Sequence, residues 1–335
     1  MATSIGAAPG GPEESAQLLP GVIGTSACMR VTVAQVSLIA ESEGTCLLLG
    51  ETGTGKELFA RAIHYTSRRA QRQFVPVNCG AIADSLFESE LFGHIRGAFT
   101  DARTEEIGLL AYADHGTLFL DEVDTLSPSA QVKLLRVLQE REYRPVGSAK
   151  TCRVDVRIVA ATNSDLRRCI ALRSFREDLF HRLNVLRLTI PPLRDRIEDI
   201  PLLARHFLRE FGERQGQPCK TLHEQAVRRL MAYHWPGNVR ELESVLQRAS
   251  LLVPRTSLSA GDLELADEAT VSELPSTLKA AKMSAIQQFE RSYLYDILRR
   301  FEGNVSHAAK AAGKERSSFQ RLLRKHSIAA EGFRA

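Results

Sequence analysis

The stretch Gly50-Glu51-Thr52-Gly53-Thr54-Gly55-Lys56-Glu57 combines three glycines with a lysine at the spacing of a phosphate-binding loop. Glycines let the backbone bend so that successive N–H groups face a triphosphate. A following helix N-terminus adds its positive dipole end, and Lys56 reaches the β- and γ-phosphates. The general pattern places Ser or Thr after the lysine as a Mg²⁺ ligand. Here that position is Glu57, so the metal must be held from elsewhere or through water. A glycine-rich turn that binds nothing has the same composition, and the flanks decide against it. Cys46 to Leu49 is an apolar run suited to a buried strand, and Glu57 to Thr66 has helical spacing with Leu58, Ala62 and Tyr65 on one side.

About seventy residues further on, the apolar run Thr117 to Leu120 ends in Asp121-Glu122. Beside a triphosphate, one carboxylate serves Mg²⁺ and its water, and the other polarises the attacking water. Many strands end in acids; it is the order after a phosphate loop that gives the pair meaning. Val154 to Ala161 reads as a further buried strand ending in Thr162-Asn163, where an asparagine amide can sense a γ-phosphate or simply form a turn. Arg176 and Arg182 are six apart in an otherwise helical stretch, for which surface ion pairs are the plain explanation. Phe99, flanked by Gly97, Ala98 and Thr100, reads as a displayed aromatic suited to a partner contact.

The elements that must position these residues form an α/β unit followed by helices. A helix is expected from about Ala27 to Ala40 with Ser26 as its cap, and a second strand from Phe74 to Cys79. Another helix runs to Glu140 from a cap at Ser127 or Ser129, with Val132, Leu135 and Leu138 at helical spacing. After Pro191-Pro192 the helical pattern resumes over Ile197 to Phe211, Leu222 to Tyr233 and Val239 to Leu252. The expected division is a disordered segment 1–17, an α/β subdomain 18–190, an all-helical lid 191–253, a linker 254–284 and a small all-α domain 285–335. In that last region Ala285 to Arg300, Val305 to Ala312 and Arg316 to His326 are spaced as a helix-turn-helix.

Composition fits this plan. The 335 residues are 44% hydrophobic and 25% charged, as in globular proteins. The six cysteines have neither C-x-x-C pairs nor metal-ligand spacing. With no apolar run of membrane length and no signal pattern, a cytoplasmic protein without membrane association is expected. Net charge is only +4, but twelve Lys and Arg oppose five Asp and Glu from Lys279 onward. A basic C-terminal module on a near-neutral body points to nucleic acid, or to a merely solvated basic surface.

Taken together, from about Val22 to Ile328, these residues resemble the AAA+ activators of bacterial sigma-54 RNA polymerase. The resemblance implies a P-loop NTPase core with a parallel sheet, a helical lid and a Fis-type DNA-binding domain. It makes Gly50 to Glu57 the Walker A motif, in which Glu after the lysine is usual, with Ile23 also at the nucleotide. Asp121 and Glu122 become Walker B, as ligand of the metal water and catalytic base. Asn78 resembles the residue that holds the Walker B glutamate inactive. Asn163 falls at sensor I, Arg240 at sensor II, and Arg176 with Arg182 match arginine fingers reaching a neighbour's γ-phosphate. The implied ligands are ATP and Mg²⁺, and the implied assembly is a homo-oligomeric ring, taken as a hexamer with paired DNA-binding domains. A mixed ring with a paralogue is the alternative. Implied DNA contacts are Arg316, Ser317, Ser318, Gln320, Arg321, Arg324 and Lys325, facing enhancer DNA.

The family's loop that grips sigma-54 reads Gly-Ala-Phe-Thr-Gly-Ala. Here it is Gly97-Ala98-Phe99-Thr100-Asp101-Ala102, so Asp101 adds a negative side chain where glycine gives backbone freedom. The sequence also begins almost directly with the ATPase, where many relatives carry a sensory domain. Regulation is then expected from a partner, from expression level or from a region outside this sequence. The expected function is an enhancer-binding ATPase that remodels the closed complex of sigma-54 RNA polymerase holoenzyme. The rival is a DNA-binding regulator or repressor whose ATPase controls assembly without touching sigma-54, and a third reading is a remodelling ATPase with another client.

Overall fold

The apolar runs that end in polar residues become strands of one sheet. The computed structural model describes residues 17–19, 21–99, 102–265, 294, 297, 298, 301 and 304–325. A short ribbon, β1 (Gln17–Leu19) and β2 (Val22–Ile23), precedes α1 (Ala27–Glu41). Then follow β3 (Cys46–Leu49), α2 (Lys56–Tyr65), β4 (Phe74–Asn78), α3 (Asp84–Phe92), α4 (Leu109–Tyr112), β5 (Thr117–Asp121) and α5 (Pro128–Glu140). A hairpin of β6 (Glu142–Tyr143) and β7 (Cys152–Arg153) leads to β8 (Arg157–Thr162), α6 (Leu166–Ala171), α7 (Glu177–Leu183) and β9 (Leu186–Thr189). The sheet order is β4-β5-β8-β3-β9, with every pair parallel.

Both faces of this sheet are covered, which is why its strands read as continuous apolar runs. Val75, Leu118, Leu120 and Ile158 join Phe87, Leu134 and Leu179 on one side. Leu48, Phe119, Val159 and Leu188 meet Met29, Val36, Phe59 and Ile63 from α1 and α2 on the other. Leaving β3, the chain crosses to the far edge at β4 and returns through β5 and β8, then continues on the other side of β3 with β9. That reversal opens a crevice at the carboxyl ends of the central strands, where α/β sheets bind ligands.

A 3₁₀ segment (Leu193–Asp199) joins the sheet to α8 (Ile200–Gln215), α9 (Glu224–Ala232) and α10 (Asn238–Leu252), with β10 (Thr221–Leu222) between the first two. These helices close over a second core containing Leu203, Phe211, Leu230, Leu246 and the fully buried Trp235. The stretch after Pro254, expected to be linker, instead contributes β11 (Ser257–Leu258), paired parallel with β10, and buries Leu258 and Leu263 in the lid core. Two apolar residues in a polar run were enough to dock it.

The chain divides into two compact units at Leu265 and Ala266. In the second, helices Val305–Ala311 and Arg316–Lys325 are joined by a turn at Gly313, whose φ is +62°. Phe319 and Leu323 are buried with Ala308, Leu294 and Leu298, while Arg316, Ser317, Gln320 and Arg321 are exposed. The expectations for residues 1–16, 266–293 and 326–335 lie outside the described residues.

Two local expectations change. On α2 the buried face is Phe59, Ala60, Ala62 and Ile63, whereas Leu58 and Tyr65 are exposed. On α5, Val132 is exposed, and Leu134, Leu135 and Val137 are buried, with Ser127 capping through Ala130 N–H.

Candidate nucleotide-binding and hydrolysis site

The loop between β3 and α2 turns through left-handed glycines, with φ +78° at Gly53 and +96° at Gly55. At Gly53 a side chain is excluded twice, since a Cβ would lie 2.2 Å from the Gly237 carbonyl oxygen. Lys56, the first residue of α2, turns its ammonium back onto the Gly50 and Glu51 carbonyls at 2.9 and 3.2 Å. Burial pushes its pKa down, and the charges of Asp121 and Glu122 oppose that shift. An ammonium held by two neutral carbonyls in the mouth of a glycine loop can exchange them for an anionic acceptor, to which a hydrogen bond is stronger.

The acids follow from strand register, because Asp121 ends β5 beside Asn78 at the end of β4. Asp121 Oδ1 accepts the Glu122 N–H at 2.9 Å. Glu122 has φ +56°, so the chain turns sharply there and the carboxylate reaches Gly80, where an added Cβ would stand 2.4 Å from Oε2. Asn78 accepts from Gly80 and Ala81 N–H at 2.8 and 3.0 Å, and no hydrogen bond joins it to Glu122 among the described residues. Asn163, just past β8, donates to Thr52 Oγ1 at 2.8 Å and so ties that strand end to the phosphate loop.

Other residues are placed apart from this centre. Glu57 turns outward along α2 to Arg61, with bonds of 2.7 and 3.0 Å. Arg176 precedes α7 and forms a bidentate pair with Asp178 at 2.7 and 3.0 Å, which raises the arginine pKa and lowers that of the aspartate. Arg182 is exposed, and its side chain makes no hydrogen bond or ion pair among the described residues. Arg240 donates its backbone N–H to Gly53 O at 3.4 Å, and its positive charge lowers the Lys56 pKa. Ile23 lines a largely apolar cavity of about 240 Å³ beside Thr54 and Gly55, together with Met29, Leu203 and Phe207.

Four contributors escaped the sequence reading. Asp124 accepts from Thr162 Oγ1 and Ser164 Oγ at 2.5 and 2.6 Å, fixing the end of β8 beside the acids. Arg194 grips Glu51 in a bidentate pair at 2.6 and 2.7 Å and holds its carboxyl below the usual range. Asn238, fully buried, donates to Thr52 O at 3.0 Å and Glu51 Oε2 at 3.2 Å, and accepts Leu193 N–H at 2.8 Å. Asp199 accepts from Thr25 N–H, Ser26 N–H and Ser26 Oγ at 2.6, 2.9 and 2.7 Å. The Ser26 hydroxyl is thereby committed to Asp199 and does not cap α1. The available signal was the polar residues of Trp235-Pro236-Gly237-Asn238, which a helix start alone does not require.

Away from the nucleotide loop, Gly97 to Phe99 form a tight excursion. Gly97 N–H bonds to Ala102 O at 2.8 Å, and Ala102 N–H to Phe99 O at 3.0 Å. Phe99 is 38% exposed and lies against the His94 ring, with centroids 4.9 Å apart. The Ile95 N–H bonds to Val146 O, so the excursion rests on the β6–β7 connection. Thr100 and Asp101 lie outside the described residues.

A five-stranded parallel sheet with this loop, acids at the next strand's end and a helical lid over the crevice defines a P-loop ATPase of the AAA+ class. The chain belongs to the sigma-54 interaction family of these ATPases, which are transcriptional regulators. The family model described as "Sigma-54 interaction domain" matches residues 22–189, and "AAA+ ATPase lid domain" matches 194–285. Transcriptional regulatory protein GlrR of Escherichia coli is 44% identical over 93% of this chain and 69% of its own length. Transcriptional regulatory protein ZraR of Salmonella typhimurium is 44% identical over 89% of this chain and 67% of its own. Among solved structures, NtrX from Brucella abortus in complex with ATP superposes with TM-score 0.71 at 35% identity, covering 92% of this chain and 69% of that one. A Hsp104 reconstruction shares the fold alone, at 18% identity and TM-score 0.51.

Proposed function

We propose that this chain activates transcription from enhancer DNA by spending ATP, as a hexameric ring, on remodelling the sigma-54 holoenzyme. The observation that carries the reading is the convergence of Lys56, Asp121 and Asn163 at the carboxyl ends of β3, β5 and β8. Lys56 leaves its two carbonyls for phosphate oxygens, and Asn163, held on Thr52, senses the terminal phosphate. Glu122 takes the proton of the attacking water. Asp121 has one oxygen on Glu122 N–H and the other without a hydrogen bond among the described residues, which suits a metal-bound water. Mg²⁺ would neutralise charge on the β- and γ-oxygens. No cluster of three protein ligands is present among the described residues, so phosphate and water would supply most of its shell.

Arg182, exposed and unengaged, is the better of the two arginines to reach a neighbouring subunit, because Arg176 must first release Asp178. Asn78 would hold Glu122 inactive only after giving up its turn at Gly80. The exposed residues Arg316, Ser317, Gln320 and Arg321 would face the major groove, joined there by Ser318, Arg324 and Lys325. The Phe99 loop would grip sigma-54. Phe99→Ala is therefore expected to keep ATPase activity and DNA binding while abolishing open-complex formation in transcription reconstituted with sigma-54 polymerase. Full transcription by this variant, or no dependence of transcription on sigma-54, would favour a regulator whose ATPase serves assembly alone.

A further inference from the structure

The cavity beside Thr54 and Gly55 is walled mostly by apolar side chains; Thr54, and the half-buried His206 and Glu210, add polar groups, and one charged group is deeply buried. Arg196 is 3% exposed and lines it. The residue has φ −135° and ψ 47°, a break inside the 3₁₀ segment that turns its side chain inward. A guanidinium has five N–H donors and no acceptor. Here Nη1 donates to the thioether of Met29 at 3.1 Å and Nη2 to the Thr54 carbonyl at 3.3 Å, while Nε is buried with no partner at all. The carboxylate whose charge supports it, Asp199, is already filled by Thr25 and Ser26. A buried charge without a direct ion pair is costly unless other acceptors complete its hydrogen bonding.

We propose that Arg196 is the base-reading residue of the nucleotide pocket. Its guanidinium donates to a ring nitrogen of the purine and links that contact to the phosphate loop through the Thr54 carbonyl. This rests on the reading of the adjoining loop as the ATP site. The chemistry follows from the donor count: the purine ring presents acceptors in its plane, and its faces suit the Ile23 and Phe207 walls. The exocyclic amino group of adenine cannot use a guanidinium, so Arg196 reads the ring and not that group.

The test measures binding of ATP, of its 1-deaza, 3-deaza and 7-deaza analogues, and of inorganic tripolyphosphate to the whole chain by calorimetry. ATP is expected to bind more tightly than tripolyphosphate. One deaza analogue should lose roughly tenfold or more in affinity, the effect of a hydrogen bond to a charged group. In Arg196→Met that penalty should vanish, with ATP falling to the level of the weakened analogue. If all three analogues bind the natural protein as ATP does, Arg196 contacts no ring nitrogen, whether or not the variant folds. A penalty that survives in Arg196→Met belongs to another donor and equally overturns the assignment. Tripolyphosphate binding as tightly as ATP would instead sink the base pocket itself, and the ATP-site reading of this cavity with it.

Discussion

Asn238 is the residue through which the lid holds the phosphate loop, and its replacement has a calculable cost. Asn238→Ala leaves the buried Leu193 N–H without its 2.8 Å acceptor and Thr52 O without its 3.0 Å donor. An unsatisfied buried group costs about 1–3 kcal/mol. Asn238 also has φ +52°, where alanine carries about 1 kcal/mol or more of backbone strain. Thr52 is exposed, so water can replace its lost donor, and one unsatisfied buried group with the strain gives a loss of about 2–4 kcal/mol. Asn238→Gly loses the same hydrogen bonds but avoids the strain, so it should be less damaging than alanine by about 1 kcal/mol. The single tryptophan, Trp235, is fully buried in the lid core and donates to Leu230 O at 2.8 Å. Its fluorescence in urea therefore reports the lid itself. Should Asn238→Ala unfold within about 0.5 kcal/mol of the natural protein, or should glycine prove worse than alanine, the clamp would not contribute as reasoned.

Glu122→Gln is expected to bind ATP within a few-fold of the natural protein while turnover falls by roughly 10²–10⁴, measured by filter binding and phosphate release. Near-normal turnover would remove Glu122 as the base. His64, fully buried, contacts Thr117 Oγ1 at 2.9 Å and donates from Nε2 to Arg72 O at 3.2 Å. Burial holds its pKa below the ordinary 6.5 against the upward pull of the Arg72 carbonyl, with smaller downward pushes from the charges of Arg157 and Arg61. The unfolded chain therefore takes up the proton first, so stability is complete above pH 6.5 and declines as pH falls below it. The slope is at most about 1.4 kcal/mol per pH unit from this group. Urea midpoints between pH 7.5 and 5.5 check this, and His64→Gln should flatten that part of the curve.

The sheet and the polar residues that its central strands display at the crevice were legible because both are written in contiguous residues. A buried parallel strand needs an apolar run, and each run here ends where a polar group is displayed at the crevice, as Leu120 gives way to Asp121. Helix faces were less legible. Leu58 and Tyr65 fit one side of α2 by spacing, but the side that meets the sheet is set by where β3 delivers the chain, and Phe59 and Ile63 face it. The linker beginning at Pro254 was misread because polar composition says nothing of Leu258 and Leu263, which find an existing core.

The lid clamp was invisible for a different reason. Asn238 reaches Glu51 across 187 positions, Arg194 reaches it across 143, and Asp199 reaches Ser26 across 173. No local pattern encodes such pairs. Yet these contacts give the motif its mechanical meaning. Glu51 is bound by Arg194 and Asn238, Thr52 by Asn238 and Asn163, and Gly53 O by Val239 N–H at 3.0 Å. Three consecutive residues of the phosphate loop are thus held from the lid side, and Thr52 is held from the end of β8 as well. The Arg194–Glu51 pair is 42% exposed on both sides, so it contributes little stability alone; the buried amide of Asn238 contributes most. If Lys56 exchanges the Gly50 and Glu51 carbonyls for phosphate, as proposed, those carbonyls would lose a cation on the same segment the lid holds. On the role proposed for Lys56, nucleotide binding would be felt first where the lid is attached, at Glu51, Thr52 and Gly53.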